Sequence, residues 1–293
     1  MIALADYNNN PYDLSGGKLT FADVYERLEK EKFPKISKSN QHGYNAAFKK
    51  AESLHHIKFN DLRKAHLQAV IDNCDKSYGT KKKIKVLFNQ MYKHAMQNDL
   101  TTKDYSRYIE MPANDSGSYR EPFTLDEIQL LWDNLDQLEY ADTALIMIYT
   151  GLRPGELVEI KNENINLEER YLRGGLKTAA GRNRVVPIHK KIHPLIEKRM
   201  NDESEFLVAS ITNNKMSYYT YYHEKWKKMM DQLNLTHRPH DCRHTFATLM
   251  DNADANKLAI KRIMGHSAKD ITDQVYTHKD INQLLKAIDL LDV

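Results

Sequence analysis

Apolar side chains recur at helical spacing through the first hundred residues, with short polar interruptions between them. Thr20 and Asp23 have the spacing of a capping box, which predicts a helix that continues until Pro34. Three further helices are predicted: over residues 39–56, from Asn60 or Asp61, and from Thr80. Four amphipathic helices joined by short turns are typical of a compact helical bundle.

The pattern changes twice in the second half of the chain. A second capping box, Thr124 with Glu127, opens a helix, and the run from Ala141 to Tyr149 is apolar on nearly every side, as in a buried helix. Between Ile165 and Ile188 apolar residues alternate around glycine-containing turns, which predicts a small antiparallel sheet. The predicted fold class is therefore mainly α, of the α+β type: a four-helix domain followed by a mostly helical domain with a small antiparallel β-sheet.

Two helices are predicted to meet at an elbow around Arg153. Gly151 suits the left-handed conformation that ends a helix, and Pro154 suits the first turn of the next one. The proline also restricts Arg153 to an extended conformation. The elbow is therefore expected to fix the position of the Arg153 side chain, with Glu156 one turn further on.

Predicted helix ends place three more polar side chains. Pro239 is a suitable helix opener, and His240 and Arg243, three residues apart, share one face of the helix that follows. Gly265 suits a left-handed helix end, so His266 is expected just beyond it. Together with Arg153, these residues indicate a polar site.

Other segments add candidate chemistry. Lys177 stands beside the predicted turn of a hairpin, and a capping box formed by Ser267 and Asp270 predicts a short helix before Tyr276. The tail has a narrow apolar stripe formed by Ile281, Leu284, Leu285 and Ile288. The stripe packs either on its own domain or on a neighbouring subunit.

The chain is predicted to have two domains. Residues 1–19 are an irregular lead-in, residues 20–110 are the helical domain, the proline-containing segment 111–122 is an interdomain linker, and residues 123–293 are the second domain with its tail helix. The net charge of +3 is unevenly spread: residues 1–110 contain 19 Lys and Arg against 13 Asp and Glu, a net +6, and the remainder carries −3. A basic first half indicates a polyanionic partner, with a solvated helical surface as the alternative.

Four lysines strengthen the case for an anionic partner. They lie at the start of the predicted fourth helix, where the helix dipole disfavours cations, and are Lys81, Lys82, Lys83 and Lys85. This placement favours a phosphate-facing, DNA-binding role over a merely solvated one.

The composition excludes several classes of protein. Hydrophobic residues make up 41% and charged residues 28% of the chain, which is ordinary for a globular protein. No apolar run approaches the roughly 20 residues of a membrane span, no secretory signal is recognisable, and Cys74 and Cys242 have no ligand-like spacing. We therefore expect a reduced, cytoplasmic protein.

Five motifs follow one another in order along the second domain. They are Thr150-Gly151-Leu152-Arg153-Pro154-Gly155-Glu156-Leu157, Leu176-Lys177-Thr178 with Arg184-Val185-Val186-Pro187, His240-x-x-Arg243-His244, Met264-Gly265-His266-Ser267 and Tyr276-Thr277-His278. Together they closely resemble the tyrosine recombinases, and most of all the integrases of temperate phages and conjugative transposons. The resemblance covers residues 120–293, and residues 20–108 look like the core-binding (SAM-like) domain of that family.

The resemblance implies a site-specific DNA recombinase of a mobile element, active in integration and excision. Such an enzyme cuts and rejoins duplex DNA through a 3′-phosphotyrosine and a Holliday junction, without a cofactor. It implies a homotetramer on DNA with the C-terminal helix exchanged in trans, accessory excision or DNA-bending proteins, no membrane partner, and a nucleoid-associated location in the bacterial cytoplasm. Related integrases often carry an arm-binding domain ahead of the core-binding domain. Residues 2–18 look like the linker after such a domain, so we expect this chain to bind core sites but not distal arm sites.

The resemblance assigns the phosphate clamp and the nucleophile. Arg153 and Arg243 would hold the nonbridging oxygens of the scissile phosphate, since the planar guanidinium matches two oxygens at once. Tyr276 would be the nucleophile. Because the ordinary pKa of tyrosine is near 10, Tyr276 would need cations or a base nearby.

The remaining assignments concern proton transfer. His240 would accept the tyrosine proton, His266 would donate a hydrogen bond to the phosphate, and Lys177 would protonate the departing 5′ oxygen. Glu156 would orient its neighbours without reacting.

Two alternatives compete with this interpretation. His240 and His244 have the i, i+4 spacing of a zinc-binding helix, but Asp241 replaces the glutamate base and Arg243 would repel a divalent cation. We therefore predict no metal site, and we predict that His244 faces the core. The other alternative is a catalytically silent, sequence-specific DNA-binding accessory protein. The presence of all six reactive residue types argues against it.

Overall fold

The computed structural model describes residues 18–114, 121–175, 183–200, 204–210, 212–266 and 281–292. The chain divides into two compact units between Ser118 and Tyr119, a point inside the segment predicted as a linker. Each unit has its own hydrophobic core. Residues 1–17 of the predicted lead-in, residues 176–182 with Lys177 and most of its turn, and the short helix before Tyr276 lie outside the described residues.

Within residues 18–114 the structure has four α-helices. They are α1 Phe21–Lys32, α2 Lys38–Lys50, α3 Lys64–Asp72 and α4 Tyr78–Gln97. Helix α4 packs against the other three. Its buried apolar positions recur at helical spacing and are Ile84, Leu87, Phe88, Met91, Tyr92 and Ala95. Stacked aromatic rings extend this core, with the Tyr25 and Phe48 centroids 3.9 Å apart.

The first helix begins as predicted, and the next three differ at their ends. Thr20 Oγ1 accepts from the Asp23 backbone N at 3.2 Å, and Asp23 Oδ2 accepts from the Thr20 backbone N at 2.8 Å, which confirms the capping box. Helix α2 ends at Lys50 instead of continuing to residue 56, and α4 begins at Tyr78, two residues before Thr80. Helix α3 begins at Lys64 because Phe59–Asp61 forms a separate 3₁₀ turn.

The second unit consists mostly of helices and contains a small sheet. Its helices in chain order are α5 Leu125–Asp133, α6 Ala141–Thr150, α7 Pro154–Leu157, α8 His193–Arg199, α9 over residues 218–232 with a π-helical centre at Tyr221–Trp226, α10 Pro239–Asn252, α11 Lys257–Met264 and α12 Ile281–Ile288. Its strands are β1 Ile165–Asn166, β2 Tyr171–Gly174 and β3 Arg184–Pro187.

Helix α6 forms the centre of this unit, and every residue in it except Asp142 is buried. It packs against α5 and α10. The three strands form an antiparallel sheet in the order β1-β2-β3, with Leu172 opposite Val186, so the predicted small sheet is confirmed. The capping box at Thr124 is also confirmed, since Thr124 Oγ1 accepts from the Glu127 backbone N at 3.2 Å and Glu127 Oε2 accepts from the Thr124 backbone N at 2.7 Å.

The tail helix α12 packs on its own unit in this single chain. It lies against β3 and α11, with Leu284 and Ile288 buried in the core. Arg170 secures the end of the tail by donating to both carboxylate oxygens of Asp289, at 3.0 and 2.5 Å, and to the Ile188 carbonyl at 2.8 Å. In the isolated chain the apolar stripe therefore packs on its own domain, the first of the two arrangements that the sequence left open. Both the tetramer and the exchange of the tail in trans stay predictions.

Among the described residues, no helix is both long enough and apolar enough to cross a membrane.

Candidate active site

The elbow before α7 has the predicted geometry. Gly151 ends α6 with φ 64°, in the left-handed region. Arg153 is extended, with φ −73° and ψ 143°, and Pro154 begins α7. Glu156 closes a capping box by accepting from the Arg153 backbone N at 3.0 Å, and it also accepts from Arg153 Nη1 at 2.9 Å. The Arg153 side chain, 24% exposed, is therefore held at the surface of the unit by its own helix start.

Gly151 also brings the elbow against α10. A Cβ at this position would lie 2.5 Å from Cδ1 of Phe246, so the close approach of the two helices requires glycine. The Gly151 carbonyl, exposed by the turn at the helix end, accepts from Arg243 Nη1 at 2.6 Å. The turn that positions Arg153 thus also holds Arg243.

Arg243 is almost completely buried, with 3% of its surface exposed. Its Nη2 donates to the Met264 carbonyl at 2.6 Å and lies 2.9 Å from Nε2 of His266. Burial, then the positive charges of Arg153 and Arg184, lower the pKa of Arg243 to about 10, and Glu156 partly opposes this. The guanidinium therefore remains charged at neutral pH in a fixed position.

His266 follows the helix end that was predicted for it. Gly265 has φ 64° and ends α11, and the His266 backbone N donates to the Lys261 carbonyl at 3.0 Å. Desolvation of the ring beside Arg243, then the charges of Arg243, Arg153 and Arg184, lower the pKa of His266. A neutral imidazole that accepts from Arg243 through Nε2 carries its proton on Nδ1, and that N–H is a hydrogen-bond donor.

A buried ion pair lies behind these groups. Glu156 is 2% exposed, and its two carboxylate oxygens accept from Nη1 and Nη2 of Arg184, at 3.1 and 2.7 Å. Burial opposes the ionisation of Glu156, but hydrogen bonds and charge from Arg184, then hydrogen bonds from Arg153, outweigh it and hold the pKa of Glu156 below its ordinary value. Glu156 therefore remains a carboxylate and links two arginines.

His240 lies in the first turn of α10, the helix that also carries Arg243. It is half-buried, and its ring centroid is 5.2 Å from that of His244. The prediction that His244 faces the core is wrong, because His244 is exposed. The buried residues of α10 are instead Pro239, Asp241, Cys242, Arg243, Thr245, Phe246 and Met250. Within the part of the chain that the structure describes, no group of three His, Cys, Asp or Glu residues could hold a metal ion.

The remaining predicted site residues are placed elsewhere. Lys177 and Tyr276 lie outside the described residues. The four lysines are in the first half of α4, in the other unit, where Lys82 and Lys83 are exposed and line a shallow groove between α2 and α4. Lys85 donates to the Ile109 carbonyl at 2.7 Å. The DNA-binding role of these lysines stays a prediction.

Sequence reasoning missed Arg184 as a site residue. The signal was present in the strand pattern, because alternation along Arg184–Pro187 places Arg184 on the same face as the buried Val186. A charged residue at an inward strand position requires a buried partner of opposite charge. The partner, Glu156, is 28 residues away and could not be identified from local pattern.

Comparison with known proteins gives one consistent family. Residues 121–283 match the phage integrase family. The chain is 32% identical to the tyrosine recombinase XerA of Pyrococcus horikoshii over 183 residues, which cover 59% of this chain and 61% of XerA. It is 30% identical to XerD of Vibrio vulnificus over 159 residues, covering 50% and 51%. The chain thus aligns with about half to three fifths of the length of these curated relatives.

Solved structures share the fold across both units. The integrase of the Tn1549 transposon, in complex with circular intermediate DNA, superposes with a TM-score of 0.75 at 18% identity, covering 91% of this chain and 98% of that one. A lambda integrase tetramer bound to a Holliday junction gives a TM-score of 0.73 at 17% identity, covering 92% and 81%.

Proposed function

Because the chain belongs to the phage integrase family of tyrosine recombinases, we propose that it is a site-specific DNA recombinase. It cleaves and religates duplex DNA through a 3′-phosphotyrosine intermediate and a Holliday junction. The proposed biological role is integration and excision of a mobile element.

The observation that supports this proposal best is the convergence of Arg153, Arg243 and His266. Among the described residues, the bonds of Arg243 to Gly151, Met264 and His266 use three of its five guanidinium N–H groups. The other N–H groups, the Arg153 guanidinium and Nδ1–H of His266 are suitable donors for the nonbridging oxygens of a phosphodiester. Donors held in place before the substrate arrives stabilise the charge that develops in the transition state, and one such arginine contributes roughly 10³–10⁵ in the rate of phosphoryl transfer.

The proposed reaction conserves the phosphodiester bond energy. The Tyr276 oxygen attacks phosphorus, the bond from phosphorus to the 5′ oxygen breaks, and a 3′-phosphotyrosine forms. His240 accepts the phenolic proton, and Lys177 donates a proton to the leaving 5′ oxygen. Attack by a 5′ hydroxyl on the phosphotyrosine reverses these steps and releases the enzyme, so the net reaction consumes no cofactor.

The proposed partners are core-type DNA sites and three further copies of this chain. Lys81, Lys82, Lys83 and Lys85 would contact phosphates, and residues 20–110 would form the core-binding domain. In the tetramer the C-terminal helix α12 would be exchanged in trans, and accessory excision or DNA-bending proteins would assist one direction. Such an enzyme would act on the nucleoid in the bacterial cytoplasm.

Trapping on nicked genomic DNA tests the proposal and requires no defined attachment site. The full chain is incubated with DNase-nicked genomic DNA of the organism that carries the gene. A nick near the cleavage point lets the short released strand diffuse away, which prevents religation. Protein-linked DNA is recovered after denaturation with detergent, and its ends are sequenced. Tyr276→Phe serves as the inactive variant, and Tyr219→Phe is the matched tyrosine control, since Tyr219 is 70% exposed.

The wild type and Tyr219→Phe should recover the same narrow set of DNA ends, joined at the 3′ phosphate, and Tyr276→Phe should recover none. Ends at the borders of a mobile element support the integrase role. DNA that is bound by the wild type in gel shifts but never joined covalently would identify the protein as a catalytically silent accessory factor.

A further inference from the structure

Arg184 is a buried charged residue next to the candidate site, held by several hydrogen bonds. It is 8% exposed and begins strand β3. Besides its two bonds to Glu156, its Nε donates to the Ile263 carbonyl at 2.7 Å. The guanidinium is thus fixed in plane between a carboxylate on α7 and a backbone carbonyl in the last turn of α11.

These contacts connect the two parts of the site that come from distant segments. On one side Glu156 binds the backbone N and Nη1 of Arg153. On the other side Ile263 directly precedes Met264, whose carbonyl accepts from Arg243, and stands three residues before His266. If Arg184 lost these contacts, Arg153 and the end of α11 would therefore be free to shift relative to each other.

We propose that Arg184 is a positioning residue of the recombinase site, whose guanidinium bridges Glu156 and the Ile263 carbonyl and thereby fixes Arg153 relative to Arg243 and His266. This inference rests on the proposed function. Arg184 does not itself contact the phosphate in the proposal, and it acts through the groups that do.

Lysine cannot replace this arginine. Two parallel bonds run from the guanidinium to the Glu156 carboxylate and a third runs from Nε to the Ile263 carbonyl, and an ammonium is a point charge that cannot reproduce that fork. Arg184→Lys keeps the charge beside Glu156 but loses the bridge to Ile263. Cleavage should fall by about 10- to 100-fold, the effect expected when a reacting group is misplaced by about 1 Å. Affinity for a core-site duplex should change little, because many other contacts are retained.

Two further variants separate positioning from stability. Arg184→Met leaves the buried Glu156 carboxylate with Arg153 but without its bidentate partner, so it should both unfold more easily and cleave slowly. The double variant Glu156→Gln with Arg184→Met removes both charges, and replacement of a whole buried pair is often neutral for stability. The double variant should regain a near wild-type unfolding midpoint and still cleave slowly.

The matched control is another arginine–carboxylate pair in the same unit. Arg199 binds Asp142 through Nε and through Nη2, the latter at 2.6 Å, and neither residue contacts the candidate site. Arg199→Met should lower the unfolding midpoint as Arg184→Met does. The double variant Arg199→Met with Asp142→Asn should regain a near wild-type midpoint. Cleavage of the trapped core site by these variants should remain at the wild-type rate.

A measurement without cleavage tests the same connection. Arg184 is one of three arginines whose charge lowers the pKa of His266, with Arg153 and Arg243. NMR titration of the His266 ring, assigned with His266→Gln, should show a higher pKa in Arg184→Met and the wild-type pKa in Arg199→Met. If the wild type forms no covalent DNA adduct, the recombinase proposal fails, and this titration still decides whether Arg184 is coupled to His266.

The inference is overturned if Arg184→Lys cleaves as the wild type does. It is also overturned if the double variant regains cleavage together with stability, since Arg184 would then matter only for folding. An unchanged pKa of His266 in Arg184→Met would equally contradict it.

Discussion

Gly151→Ala should destabilise the second unit strongly, although it adds only one methyl group. Gly151 has φ 64°, and the left-handed conformation costs an L-residue with a Cβ about 1–2 kcal/mol. The new Cβ would also lie 2.5, 2.9 and 3.0 Å from three atoms of the Phe246 ring. Phe246 is fully buried, so the ring has little room to retreat, and overpacking of this kind costs about 1–3 kcal/mol. The two effects together predict a loss of about 2–5 kcal/mol.

Tryptophan fluorescence reports this loss selectively. The chain has two tryptophans, Trp132 and Trp226, and both belong to the second unit. With an m-value of about 2 kcal/mol/M, the urea midpoint of the fluorescence transition should fall by about 1–2.5 M. Gly43→Ala is the matched control, since a Cβ at Gly43 meets nothing within 4 Å and that helix is in the first unit. It should leave the tryptophan transition where it is.

A double-mutant cycle separates the backbone effect from the clash. Phe246→Leu removes the ring that obstructs the Cβ, so the cost of Gly151→Ala in that background should drop to about the 1–2 kcal/mol of the left-handed conformation. A midpoint for Gly151→Ala close to that of the wild type would refute the reasoning altogether. An equal cost in both backgrounds would refute the role assigned to Phe246.

Three other outcomes are expected. The folded-state pKa of Glu156 is depressed, so its contribution to stability is present above the unfolded-state pKa of about 4.3 and is lost as pH falls through the folded-state value. Urea midpoints should therefore show a smaller loss of stability between pH 7 and pH 3 for Glu156→Gln than for the wild type. Arg170→Ala removes a bidentate bond to Asp289 worth about 1–2 kcal/mol, so amide hydrogen exchange in α12 should accelerate about 5- to 30-fold. Unchanged exchange would show that the apolar face alone holds the helix. Lys177→Ala should slow cleavage by about 10²–10⁴-fold. A substrate with sulfur at the 5′ bridging position should restore the cleavage rate of this variant but not that of Tyr276→Phe, because a thiolate leaves without a proton. If the sulfur substrate does not restore cleavage, Lys177 is not the general acid.

Features governed by neighbours in sequence could be predicted from the chain. The capping boxes at Thr20 and Thr124 are confirmed because each depends on two residues three apart. The helix ends at Gly151 and Gly265 are confirmed because only glycine adopts the left-handed conformation without strain. The start of α3 was predicted wrongly at Asn60 or Asp61, where a short 3₁₀ turn satisfies the same polar signals.

Features governed by tertiary packing could not be predicted in the same way. The rotation of α10 about its axis is set by its contact with α6, and this turns His244 to the solvent and Arg243 to the interior. The bond from Arg243 to the Gly151 carbonyl spans 92 residues, and the pair formed by Arg184 and Glu156 spans 28. A sequence indicates that such charged residues need partners, but the partners are chosen by how the helices pack.

The attachment of α12 to its own unit has a consequence for when subunits associate. A tethered segment competes for its docking surface at an effective concentration of about millimolar, whereas a separate subunit at about micromolar concentration is disadvantaged roughly a thousandfold. If the tail is exchanged in trans as proposed, free subunits would therefore remain monomeric by mass action, with their tails docked on themselves. Two subunits bound at adjacent DNA sites would offer each other's tails at a local concentration similar to that of the tether, and only there would the two arrangements become comparable in population. The DNA would then promote exchange by raising the local concentration of the two tails.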